Sequence, residues 1–136
     1  MLTTTTPPPA SAFEITWEDR GSYVRAHVSG AVDSVATSLA YWRAIHEEAK
    51  RRGAKYVLVV EAFQTPASVM EVFEVAGQIP SIIQDLVVAF VDERFEQFDE
   101  NRFGEDVAVN RGATGKVFAK EEEAAAWLET IAVAAK

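Results

Sequence analysis

Three acidic residues stand where a small α/β protein would place chemistry. Glu61 follows the apolar run 56–60, and Asp92 and Glu93 follow the apolar run 86–91. Ligands of open α/β sheets bind just beyond the carboxyl ends of the strands, so these side chains would share one end of a sheet. Carboxylates clustered there could hold Mg²⁺ or work as acid and base. The sequence supplies no companion for either task. It has no phosphate-cradling GxGxxG or GxxxxGK[ST] loop and no cysteine, and its two histidines, His27 and His46, do not sit at ligand spacing. The plainer reading is a set of solvated loop acids, with no metal, no cofactor and no catalytic residue expected.

Two hydroxyl residues come next. Thr65-Pro66 reads as a helix cap followed by proline at the first helical position, with Ser68 close behind. A phosphate on Thr65 or Ser68 would meet the positive end of that helix; the simpler role is capping and surface polarity. Phe95, Phe98 and Phe103 recur in an acidic stretch with few other apolar residues. They would pin a loop, line a small pocket together with Glu61 and Asp92, or meet a partner. Arg111, in Asn110-Arg111-Gly112, would end a helix, pair with Asp92 or Glu93, or hold an anion.

The elements that must position these residues follow from periodicity. Residues 13–18 and 22–28 alternate apolar and polar around the turn Asp19-Arg20-Gly21, predicting a hairpin. Asp33 or Ser34 caps a helix to about Arg52, with Val35, Leu39, Trp42, Ile45 and Ala49 on one stripe and Gly53 as a left-handed stop. The runs 56–60 and 86–91 lack polar alternation and predict strands covered on both faces. Between them a helix starts at Thr65-Pro66, buries Val69, Phe73 and Ala76, and ends by Pro80. Residues 92–100 read as a loop, 102–111 as a short helix weakened by Gly104, and 116–119 as a last strand. A final helix carries Glu121, Glu122 and Glu123 in its first turn and Ala124, Trp127, Leu128, Ile131 and Ala135 on its stripe. Trp17, Trp42 and Trp127 all fall on apolar stripes. The expected fold is α/β: one mixed, mostly parallel five-stranded sheet in the order β-β-α-β-α-β-α-β-α, with right-handed crossovers.

Composition sets the class. With 136 residues and 49% hydrophobic residues the chain suits one domain with one core. Residues 1–12, rich in Thr and Pro, read as an extended or disordered tail before a domain over 13–136. A net charge of −8 disfavours nucleic acid. The lack of cysteine and of any bilayer-length apolar stretch suits a cytoplasmic protein. The hairpin's outer strand, with Phe13, Ile15 and Trp17, offers an edge for a homodimer.

The segments Ser29-Gly30-Ala31-Val32-Asp33, Tyr56-Val57-Leu58-Val59-Val60-Glu61 and Val107-Ala108-Val109-Asn110-Arg111-Gly112, the last followed by Val117-Phe118 and the 122–128 helix start, together resemble STAS-type domains. More narrowly they resemble the anti-sigma-factor-antagonist-like family of STAS/SEC14-related bacterial proteins. The resemblance covers residues 13–135 and implies a non-enzymatic regulatory or protein-interaction module. Its partner surface would centre on residues 65–69. Regulatory members are phosphorylated on a Ser or Thr at the start of the helix after the third strand. The matching Thr65-Pro66-Ala67-Ser68 lacks the Asp-Ser pair and following Gly of that signature. The SEC14 side of the resemblance implies a small apolar ligand or lipid as the alternative. An enzyme using Glu61, Asp92 and Glu93 is the third reading.

Overall fold

The computed structural model describes residues 12–135. The tail reading falls almost wholly on residues outside that range. A hairpin of β1 (Glu14–Asp19) and β2 (Val24–Val32) leads into α1 (Val35–Arg52). Then follow β3 (Tyr56–Thr65), α2 (Val69–Ile82), β4 (Val87–Asp92), a 3-10 turn at Phe95–Gln97, α3 (Phe98–Asn110), β5 (Thr114–Phe118) and α4 (Glu121–Ala134). The five strands lie in the order β1-β2-β3-β4-β5. β1 pairs antiparallel with β2, and every other pairing is parallel. The expected fold class and element order are therefore what the chain adopts.

The strand order explains the layering. Strands added always to the same side, through right-handed crossovers, place all crossover helices on one face. Val24, Ala26, Val28, Val57, Val59 and Val88 accordingly point toward α1 and α2. The alternate residues Leu58, Val60, Val87, Ala89 and Val91 point the other way, where α4 covers them with Ala124 and Leu128. The uninterrupted apolar runs of β3 and β4 thus have both faces buried.

Local chemistry fixes the ends of α1. Ser34 Oγ accepts the Thr37 amide at 3.1 Å, and Gly53 at φ +68° closes the helix with its N–H on the Ala49 and Lys50 carbonyls. Its inward stripe is Thr37, Ser38, Tyr41, Trp42, Ile45 and Ala49. That stripe is rotated from the expected one, since Tyr41 goes inside while Val35 and Leu39 are only half-buried.

Three helix boundaries differ from the sequence reading. Thr65 does not cap α2; it ends β3, paired with Val32 of β2, and its carbonyl accepts the Asp33 amide at 2.9 Å. The cap is Ser68, which forms a reciprocal capping box with Glu71. The strand ladder and this box together outweigh the Thr-Pro signal. Second, α2 runs through Pro80 to Ile82. The proline sits in the last turn, where Ile79, Ile82 and Ile83 still pack on the core. Third, α3 begins at Phe98 rather than 102, so most of the expected acidic loop is helical. Gly104, which lowers helix propensity, is where α3 meets α2. A Cβ there would stand 3.0 Å from Val72 Cγ1 and 3.7 Å from Ala76 Cβ.

Candidate functional site

The parallel ladder puts the ends of β2, β3 and β4 side by side. Glu61 is in register with Asp92, and Val28 with Glu61. Asp33 follows β2 directly and is held by the Ser34 amide at 2.8 Å and by Ser38 Oγ at 2.7 Å. Asp33, Glu61 and Asp92 are buried, at 5%, 6% and 8% exposure. Glu61 accepts a hydrogen bond from the Tyr41 hydroxyl. The charges of Asp33 and Asp92 act on its carboxyl. Asp92 receives the Arg94 amide at 2.8 Å and Asn101 Nδ2 at 3.2 Å.

Three carboxyls this close and this dry cannot all ionise freely. Burial, then the charges of Asp33 and Asp92, push Glu61 well above the ordinary carboxyl range. Burial also raises Asp33 and Asp92, against the hydrogen bonds that hold their charge. Burial, with Glu61 and Asp33 beside it, raises the Tyr41 phenol.

These carboxyls line a pocket of about 110 Å³, whose other polar lining residues include Ser38, Gln97, Asn101, Glu105 and Lys116. It lies between the sheet and the three helices on that face, with walls that include Trp42, Val75, Ile79, Val88, Phe90 and Ala108. The walls are rigid aromatic and branched side chains. Trp42 stacks on Phe90 at 6.1 Å and Tyr41 on Phe63 at 6.0 Å. No family model, no curated protein and no solved structure matches this chain.

The expected site residues divide between this cavity and the outer surface. Glu61 and Asp92 meet at the cavity, as buried acids rather than solvated ones. Glu93 turns to the opposite face and sits 3.0 Å from His27 Nε2. Among the described residues no group of His, Asp and Glu has the arrangement of a metal site. Phe98 opens α3, half-buried and apart from the cavity lining; the Phe95 side chain lies outside what the structure describes. Phe103 stacks on Phe73 at 5.7 Å on the outer surface of the α2–α3 pair.

Arg111 pairs with neither Asp92 nor Glu93. Its guanidinium reaches the Gly77 carbonyl at 3.5 Å, in a groove with Met70, Phe73 and Glu74. It ends α3 on the side of α2, away from the strand ends. Thr65 and Ser68 are both exposed. Sequence reasoning missed Ser38 and Tyr41 as site residues and took Asp33 only as a cap. The available signal was the polar–apolar stripe Ser34, Ser38, Tyr41, Ile45, whose spacing of three and four turns Tyr41 toward the strand ends.

Proposed function

We propose that this chain is a non-catalytic binding domain that holds one small molecule in the cavity between the sheet and the α2–α3 pair. The observation that carries this is the cavity itself, lined mostly by apolar side chains with a few polar groups among them, which is the usual make-up of a small-molecule site. The hydroxyl groups beside its acids are committed to carboxylates, Ser38 to Asp33 and Tyr41 to Glu61. Neither histidine lines it.

Xenon tests the reading independently of any head group, because it enters accessible apolar cavities. Amide and indole shifts should appear at Trp42, Val88 and Ala108 and disappear in Ala108→Leu, which fills the space. Native mass spectrometry of gently purified protein should show a co-purifying adduct. No xenon response and no adduct would overturn the reading.

A second reading, the STAS-like protein-interaction module, draws support from the outer face of α2. Val69, Met70 and Phe73 are 49%, 75% and 42% exposed there, beside the Phe103 ring. Exposed apolar side chains grouped in this way mark contact surfaces. The group adjoins Ser68, within the stretch that the family resemblance selects. On this reading Met70→Glu abolishes capture of a protein partner while leaving the fold intact; capture unaffected by both Met70→Glu and Ser68→Asp would remove the surface from consideration.

A further inference from the structure

We propose that the outer face of α2 is the contact between two copies of this chain, paired antiparallel about a two-fold axis near Phe73. This rests on the second reading above, in which that face is a contact surface, and names its partner.

The face has two unlike halves. Val69, Met70 and Phe73 make the first half apolar and exposed, with the Phe103 ring against Phe73. In the second half Gly77, Gln78 and Ser81 keep the helix surface low. The Arg111 guanidinium reaches over Gly77, so that a Cβ there would stand 2.5 Å from its Nη1. Met70, Phe73, Glu74, Gly77 and Arg111 border one groove.

A two-fold contact uses the same patch twice, so the patch must complement itself. Met70, Phe73 and Gly77 follow spacings of three and four, which sets them in one seam along the helix. Antiparallel pairing about Phe73 lays Met70 of one copy on Gly77 of the other. A projecting side chain then meets the one position of the seam that has none, and the two Phe73 rings meet at the axis.

Charge selects the same arrangement. Glu74 and Arg111 are both exposed, and among the described residues neither makes an ion pair. Arg111 has only its long bond of 3.5 Å to the Gly77 carbonyl. Glu71 is already engaged by the Ser68 amide at 2.8 Å. Antiparallel pairing brings Arg111 of each copy, over Gly77, toward Glu74 of the other, and does so twice. Parallel pairing would set Glu74 against Glu74 and Arg111 against Arg111. The net charge of −8 on each copy opposes close approach, which makes the pair a reversible one. A two-fold pair also closes on itself and grows no further.

Sedimentation of the full chain over a range of concentrations tests this. The mass should rise from 14.9 kDa toward twice that value and level off there. Met70→Glu should hold it at the single mass. Glu74→Arg and Arg111→Glu should each weaken pairing tenfold or more. An equal mixture of those two variants should recover it, because in the mixed pair every introduced charge faces its opposite. Recovery on mixing cannot come from repair of either chain's own fold. A natural protein at the single mass throughout, a pair indifferent to these substitutions, or a mixture no stronger than its components overturns the two-copy assignment. If Met70→Glu then still abolishes capture of a different protein, the contact-surface reading stands. If capture is unaffected by both Met70→Glu and Ser68→Asp, the two fall together.

Discussion

Glu61 shows how far one side chain's behaviour depends on its neighbours. A carboxyl raised by burial makes folding take up a proton. The stability it contributes is complete below its ordinary value of 4.5 and is lost as pH rises through the folded-state value. Asp33 and Asp92 are shifted in the same direction. Glu18, Glu48, Glu71 and Glu121 act oppositely. Hydrogen bonds from Arg20, Arg51, the Ser68 amide and Arg25 hold them low, Glu48 at about 2, so their contribution is lost as pH falls. Stability should therefore peak on the acid side of neutrality. Urea denaturation from pH 5 to 8 should show it declining in the natural protein and declining less in Glu61→Gln, whose amide can still accept from Tyr41 and donate to an aspartate. Ser68→Ala removes one half of the capping box and should cost about 1 kcal/mol in the same assay. At this scale the sequence revealed identity but not surroundings. Glu61 and Asp92 stand out because they end apolar runs, whereas Tyr41 does not, because its role arises only when α1 packs across the ends of β2 and β3.

Among the elements, α4 is anchored to the sheet by a specific ion pair. Arg25 of β2 grips Glu121 at its start through two bonds, of 2.7 and 3.1 Å. Glu121 also lies at the positive end of the helix. Both side chains are partly shielded, at 17% and 32% exposure. A double-mutant cycle of Arg25→Ala and Glu121→Ala should yield a coupling of roughly 1 kcal/mol that shrinks with added salt. Strands and helices were legible where one signal dominated: unbroken aliphatic runs for β3 and β4, and the Gly53 stop for α1. They were less so where local cues competed. Thr65-Pro66 looks like a helix start, but residues 63–65 continue the ladder to β2. Gly104 looks like a helix weakness, but it is what lets α3 approach α2.

For the molecule as a whole, the two sides of the sheet are unequally covered. Three helices roof one face and α4 alone covers the other. Leu128 is the largest fully buried side chain of α4. Leu128→Ala should therefore cost about 2–5 kcal/mol, measured by thermal or urea unfolding. Met70→Ala, at 75% exposure, should change stability by less than about 0.5 kcal/mol. The mostly parallel character of the sheet was legible because strands alternating with helices are joined by parallel crossovers. The cavity was not, because unfilled space between packed elements leaves no mark on any single stretch of chain.

The sheet also ends in two different ways. At β5 the amide of Val117 is taken by Glu105 of α3 at 2.6 Å, so a visiting strand finds that donor occupied. At β1 the rings of Phe13 and Trp17 and the side chain of Ile15 pack inward on the core, and Glu14, Thr16 and Glu18 face water. Two molecules meeting along β1 would bring carboxylate rows together, a barrier to ribbon growth that costs the fold little. Solutions of this protein should stay dispersed when concentrated, and Glu14→Gln with Glu18→Gln should make sedimentation depend on concentration.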